Sequence, residues 1–524
     1  MEEGFMLVFP ELVGRGEVPN RDFLHLYGPG GLWVLAGAYE LFGTTLTTER
    51  LVAFAQQLGV AFGVFALLRH WGRGLAAAGG IIAAVVILPP IGLTALAWVG
   101  AVALGLWALT AGLAAGIPTR AGHGGKAVGP AARPRLLLMA GMLAGLALLY
   151  RPDLVVAVGA SGTALALGLD RVDRRRLLAG LAAGVSPYLV HVATAGFGDA
   201  FRGMVLDPVF ALRGGRALPL PPTWDSFDGF LQRAGLLAEP SWPFPAPASP
   251  AQLTIWLVLL VAADVALVVA GARLLRRTGD RRLLVMGLFA AGLLPQALQR
   301  ADSTHLAWVS CVPFGLAPAA VAELARTWRP RLASPRVALV AVAVPVAAVV
   351  GLVPDFTARS YADYVAQSAG YGPPSYRIER GERWFYYGRQ DAALAVTALF
   401  AVIDEHTEPG DTLFVGTGDL RKTPYSEAFL YHLLPELPPA TRYIEMDPGV
   451  ANADDSGLAD EVAAADVLIL SSIRDDWVEP NDSRRLGPDE PNQVVARDFC
   501  LRGSFGDGLF GRGLYELYTR CDAG

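Results

Sequence analysis

The sequence predicts a polytopic α-helical membrane protein that carries an α/β domain at its C-terminal end. Apolar runs of bilayer-crossing length recur between residues 46 and 354. Basic residues crowd into alternate connections between those runs. Beyond residue 354 the chain turns polar and shows short strand and helix patterns. Composition agrees. Of 524 residues, 53% are hydrophobic and 17% charged, with mean hydropathy +0.40, whereas soluble domains carry about a quarter charged residues. A net charge of -5 gives no reason to expect a nucleic-acid partner. Lysine occurs only as Lys126 and Lys422, which fits codon bias in a GC-rich bacterial genome better than any functional demand.

Spanning about 30 Å of hydrocarbon takes about 20 apolar residues. The candidate runs are 46–69, 76–92, 94–116, 135–150, 153–169, 176–194, 252–273, 281–298, 304–325 and 336–354. The piece 31–44 is too short and reads as a helix lying in the interface, with Trp33 and Tyr39 at headgroup depth. The crowded connections hold Arg69 and Arg73; Arg120, Lys126, Arg133 and Arg135; Arg171, Arg174, Arg175 and Arg176; Arg273, Arg276, Arg277, Arg281 and Arg282; and Arg326, Arg329, Arg331 and Arg336. The positive-inside rule puts these in the cytoplasm. The expected organisation is an outer loop with an interfacial helix (1–45), a transmembrane domain (46–354, with an outer loop 195–251), a linker (355–390) and an extracytoplasmic α/β domain (391–524). The start shows no signal-peptide pattern. A helix in front of Met1 would supply the missing insertion signal, so the sequence is expected to begin inside a longer one.

In the tail, helices are expected at Asp391–His406, Pro424–Leu434 and Gly457–Ala465. Strands are expected at Thr412–Gly416, Arg442–Met446, Val467–Ser471 and Gly513–Arg520, in a largely parallel sheet. Cys311 lies in an apolar run and reads as a buried thiol. Cys500 and Cys521 lie in the tail, where an oxidising compartment would allow a disulfide. Gly416-Thr417-Gly418 follows a strand, but a lone Gly-x-Gly is weak evidence for phosphate binding, and a plain turn is expected.

Ionisable groups in a membrane domain are costly, so their positions inform. They gather at the ends opposite the basic connections: Glu2, Glu3, Arg21, Asp22, His25 and Tyr27 at the start; Glu49 and Arg50; Arg151 and Asp153; Arg300, Asp302 and His305. Together they could line one outward-facing cavity. A carboxylate there could take a proton from an acceptor hydroxyl. Arginine could hold a departing phosphate with two hydrogen bonds. Each group also has a plainer reading, as a solvated chain-start acid, a local ion pair or a pair at a helix break. Asp264, inside a span, reads as hydrogen-bonded to a neighbouring helix, and His191 and Glu323 as structural.

Three stretches then carry a resemblance: Glu2-Glu3-Gly4-Phe5, Gly16-Glu17-Val18-Pro19-Asn20-Arg21-Asp22-Phe23, and Tyr27-Gly28-Pro29-Gly30. Their order resembles the first outer loop of the membrane glycosyltransferases with the GT-C fold, a superfamily that includes protein O-mannosyltransferases and bacterial aminoarabinose transferases. Arg151-Pro152-Asp153 and Arg300-Ala301-Asp302-Ser303-Thr304-His305 resemble segments of bacterial members. The likeness covers residues 1–354. It implies an inverting transfer from a polyprenyl-phosphate sugar to an envelope glycan, lipid or protein on the outer face of the bacterial cytoplasmic membrane. Glu2, Glu3 and Asp22 are then the catalytic candidates, with the first acid of the pair as base. Arg151 and Arg300 would bind donor phosphate, and His25, Tyr27, Asp153, Asp302 and His305 would bind substrate. Two departures stand out: Glu2 occupies a place where aspartate is usual, and the preceding helix is missing. No cofactor is expected, although a divalent cation could bridge the acids to phosphate. The competing classes are a transporter or lipid flippase and a non-enzymatic envelope assembly protein. A transporter would place polar groups and broken helices at the bilayer midplane, often in inverted repeats.

Overall fold

The computed structural model describes residues 2–116, 133–220, 242, 248–328, 335–353, 356–424, 426–476, 479–508 and 511–521. Every expected apolar run forms helix. These are α3 (Leu46–Leu68), α4 (Arg73–Ile91), α5 (Ala97–Gly116), α6 (Arg133–Tyr150), α7 (Val155–Ala166), and α8 (Arg171–Val185) continued by α9 (Pro187–Ala195). After the short α10 (Phe197–Phe201) and α11 (Leu212–Arg216) come α12 (Pro250–Thr278), α13 (Arg282–Gln299), α14 (Ser303–Trp328) and α15 (Pro335–Leu352). Among the described residues, seven stretches are long and apolar enough to cross a membrane; α4, α7 and α15 are shorter apolar helices. The chain is a multi-pass membrane protein.

Capping groups set the ends of the long helices. Thr45 accepts from the Thr48 amide at the start of α3. Ser249 and Gln252 exchange bonds in a capping box at the start of α12. The two ends of the bundle differ chemically. At one end Trp71 and Arg326 bond Glu323, and Arg282 meets Asp280. The N-terminal segment and the C-terminal domain sit against the other end.

The opening segment departs from a polar loop. Residues Glu2–Gly14 form helix α1, and Phe5, Met6, Leu7, Val8, Phe9 and Leu12 are all buried. A helix apolar all round is buried all round, and α1 is covered on two sides. Tyr39, in α2 (Gly30–Phe42), reaches it from the bundle side through a 2.8 Å bond to the Met6 carbonyl. From the other side Arg383 grips Glu11 with two 2.8 Å bonds.

The linker is structured. It holds a helix at Ala358–Ser368 and the antiparallel hairpin β1 (Arg377–Arg380) and β2 (Arg383–Tyr386). The tail forms a four-stranded sheet of β3 (Leu413–Thr417), β4 (Val467–Ser471), β5 (Phe499–Phe505) and β6 (Tyr515–Arg520), in the order β3-β4-β6-β5. Only β3 and β4 run parallel; β4–β6 and β6–β5 are antiparallel. The sheet is therefore mixed, not largely parallel, because β5 and β6 are joined by a short connection that allows only antiparallel pairing. Residues 442–446 are not a strand. Their backbone turns to receive the Leu24 amide at Arg442. The helix expected at 424–434 shrinks to Phe429–Leu433. Cys500 and Cys521 form a disulfide that ties β5 to the end of β6, and Cys311 is buried and free.

Asp264 is buried in α12, but neither carboxylate oxygen has a hydrogen-bond partner among the described residues. This differs from the expected bond to a neighbouring helix. Its helical neighbours Leu260 and Leu267 are fully buried, so the seam it faces is apolar.

Candidate functional site

The turn Tyr27-Gly28-Pro29-Gly30 packs directly on the end of α6. A Cβ at Gly28 would collide with the Leu149 carbonyl oxygen and lie 2.7 Å from the Tyr188 hydroxyl. Only glycine lets the turn approach so closely. Asn20, with φ +71°, holds the turn's approach: its amide donates to the His25 carbonyl, and its carbonyl oxygen meets His191 Nε2 at 2.8 Å. His191 is thus tied to the turn through Asn20. His25 is buried between Phe9 and Tyr27, with ring centroids 5.6 Å from each. Burial is the main reason its pKa is pushed down to about 3.

This packing presents the Tyr27 ring to Arg151, which caps the break between α6 and α7. The guanidinium lies 4.0 Å from the Tyr27 ring centroid and 5.2 Å from that of Trp98, a cation–π arrangement on two faces. Asp153 receives its Nε at 2.9 Å and its Nη2 at 2.6 Å. Burial works against this charge, but Asp153 and Tyr27 overcome it and hold the guanidinium above its ordinary pKa. The Arg151 side chain is 5% exposed, the Asp153 side chain 44%. The pair therefore has a buried cation and an accessible anion.

Trp98 continues the line to the next helix break. Its ring stacks on Trp308 at 6.3 Å, and its Nε1 donates to the Trp308 carbonyl. Trp308 lies 4.4 Å from the His305 ring. His305 Nδ1 meets Asp302 at 2.8 Å, and Asp302 receives Arg300 Nε at 2.8 Å. Burial raises the Asp302 pKa, but His305 and Arg300 outweigh it and hold the carboxyl well below the usual range. Arg300 also gives both Nη groups to Glu479 of the C-terminal domain, one at 2.9 Å, and Nη1 to the Arg216 carbonyl at 3.0 Å.

Tyr27, His25, Arg151, Asp153, Asp302, His305 and Arg300 thus belong to one continuous line of contacts at one end of the bundle. The acids of the opening segment are placed differently. Glu3 is held by Arg50, at 2.6 Å from Nε and 3.0 Å from Nη2, and Arg50 also donates to the Gln367 carbonyl at 2.6 Å. Neighbouring Glu49 receives the Ala95 amide at 2.5 Å, three residues before Trp98. Asp22 stands apart on the surface. Arg21 binds it with two 2.8 Å bonds, and the Val18 amide donates to it at 2.7 Å. The Arg21 hydrogen bond is the main reason the Asp22 pKa is lowered. The side chain of Glu2 lies outside the described residues. Among the described residues no cluster of three or more His, Cys, Asp or Glu could hold a metal ion.

Sequence reading missed Asn20, Trp98, Trp308 and Glu479. Trp98 and Trp308 each lie a few residues inside the end of an apolar run, a position where aromatic residues usually need no special explanation. Glu479, ahead of Pro480, reads as a turn.

No family model matches the chain, and no curated protein matches it. Solved structures do. ArnT from Cupriavidus metallidurans bound to undecaprenyl phosphate aligns at 15% identity and TM-score 0.48, covering 100% of this chain and 94% of that one. The same protein in its apo state gives 15% and 0.44, covering 99% and 92%. The Archaeoglobus fulgidus oligosaccharyltransferase in complex with zinc and sulfate gives 13% and 0.40, covering 97% and 69%.

Proposed function

We propose that the protein is an inverting glycosyltransferase that moves a sugar from a polyprenyl-phosphate donor to an envelope glycan, lipid or protein. On this reading the work is done on the outer face of the bacterial cytoplasmic membrane, with the C-terminal domain outside. The observation that carries the reading is Arg151: a buried cation held by two aromatic faces and by a carboxylate that is itself open to solvent. A diester phosphate could displace or share that carboxylate and keep the same two-pronged geometry. In the proposed step the acceptor hydroxyl oxygen attacks the sugar anomeric carbon. Its proton passes to a carboxylate of the opening pair, Glu2 or Glu3. The anomeric carbon–oxygen bond breaks, and polyprenyl phosphate leaves with the electron pair. Arg151 neutralises the charge that develops on the leaving oxygen. Arg300 is a second phosphate candidate, and it would first have to release Glu479.

The topology supports the outer face, since the basic ends of the helices lie opposite this site. The test uses membranes supplied with radiolabelled polyprenyl-phosphate sugars and the chain's native envelope fraction. Arg151→Lys keeps the charge and loses the fork, so transfer should fall about a hundredfold or more, equivalent to about 3 kcal/mol. Glu2→Gln or Glu3→Gln should fall similarly, while Asp22→Asn, bound on the surface, should fall much less. Full transfer by Arg151→Lys together with both opening-pair variants would sink the assignment.

A further inference from the structure

The chain leaving α9 turns at Gly196, where φ is +86°. It then runs through α10 and a π-helical stretch, Arg202–Ala211. One side of this run is strongly apolar and open: Phe197 is 70% exposed, Phe201 42%, Leu206 41%, Val209 45% and Phe210 72%. The other side is committed to protein. Ala200, Gly203, Asp207 and Leu212 are buried. Gly203 rests on the Asn20 side chain, and Gly449 of the C-terminal domain approaches the Ala211 carbonyl. Phe197 and Phe201 stack at 5.7 Å. Positions 197, 201, 206 and 210 recur every four or five residues. That spacing matches i→i+5 hydrogen bonding better than an α-helix, so the π geometry keeps the apolar stripe on one side.

An exposed apolar stripe of this size marks an interaction surface. What meets it follows from continuity. Leu189 and Val190 of α9 are 73% and 60% exposed within Arg171–Ala195, a membrane-crossing stretch. Their outward face is the lipid face, and Phe197 begins directly beyond it. Arg202, with a side chain 67% exposed, and exposed Arg213 border the stripe. Arginines border the apolar side of interfacial helices in the same way, close to lipid phosphates. We infer that residues 197–211 form an interfacial helix whose apolar side is immersed in the leaflet that receives the end of α9. The partner is the acyl-chain boundary of the bilayer. This inference needs only the membrane-spanning bundle and stands whether or not the chain transfers sugar. Its inner face touches Asn20, which organises His25 and His191, so the leaflet lies one residue from the candidate site.

The test places single spin-labelled cysteines in the full chain with Cys311→Ala, reconstituted in phosphatidylcholine–phosphatidylglycerol nanodiscs. Phe197→Cys, Phe201→Cys and Phe210→Cys probe the stripe, Leu189→Cys marks lipid, and Arg485→Cys marks water. Oxygen and a water-soluble nickel chelate compete as relaxation agents. The expected result is an oxygen-to-nickel accessibility ratio at the three stripe positions shifted to the Leu189 value. A ratio like that of Arg485 would overturn the inference, because the stripe would face water. Low accessibility to both agents would overturn it too, because protein would cover it. The probed positions are exposed, and using three of them keeps the outcome readable if one label perturbs the chain.

Discussion

His25 shows how a single residue can fix the pH range of the fold. Its ring lies between Phe9 and Tyr27, and its Nε2 is buried without a hydrogen-bond partner among the described residues. Burial holds its pKa near 3, well under the 6.5 of a free histidine. His432, buried beside Arg383, is held near 3 as well, chiefly by burial. Below pH 6.5 the unfolded chain binds protons at these two positions and the folded chain does not. Stability from them is therefore full above pH 6.5 and is lost as pH falls toward 3. Each contributes a slope of about 1.4 kcal/mol per pH unit in that window. Thermal unfolding in detergent should show the midpoint falling between pH 6.5 and 4, more gently for His25→Gln. Parallel profiles for the two chains would mean that His25 takes up its proton in the folded state. The same residue illustrates what the sequence can reveal. Its place in the Tyr-Gly-Pro-Gly segment marks it as a candidate, but burial that keeps it neutral comes from Phe9, in a helix that was not expected.

At the scale of elements, the membrane helices were legible because an apolar run of about 20 residues has few alternatives. Helix α1 was not. Phe5 to Phe9 are consecutive apolar residues with no helical period, and nothing in the local pattern says that two other parts of the molecule will cover them. Strand β5 was hidden for a similar reason. Its burial does not alternate cleanly, and its register to β6 shifts between Leu501 and Gly503. The disulfide compensates for that weak edge. It closes a span of 21 residues, which should restrict the unfolded chain by about 3 kcal/mol. Cys500→Ser with Cys521→Ser should therefore speed hydrogen exchange along β5 and β6 and lower the melting temperature of the tail, while exchange in α12 and α14 stays unchanged. Exchange in β5 equal to that of the native chain would show that strand pairing alone holds the edge.

At the scale of the whole molecule, the parts of the site that sequence could show are those close in the chain. Arg151 and Asp153, or Arg300, Asp302 and His305, fall within five positions of each other. The contacts joining them do not: Trp98 and Trp308 are 210 positions apart, and Arg300 and Glu479 are 179 apart. That last pair makes a specific claim about assembly. Arg300 and Glu479 have side chains 9% and 4% exposed, and they join the turn between α13 and α14 to the C-terminal domain. A second bridge, Arg216 to Asp447, lies close by, since Arg300 also bonds the Arg216 carbonyl. Removing one carboxylate from a desolvated pair at such a boundary costs about 2–5 kcal/mol, much of it from the arginine left behind. Arg300 keeps Asp302, so Glu479→Ala should fall at the lower end, and Glu479→Gln, which retains hydrogen bonds, lower still. The loss should appear as a loosened junction and not as global unfolding. Hydrogen exchange should rise in 212–218 and 479–484, and protease should release the tail sooner, while α5 and α14 keep their protection. If Glu479→Ala leaves exchange at both segments unchanged, this pair does not hold the C-terminal domain to the bundle, and the burden passes to Arg383–Glu11 and the apolar faces of α1.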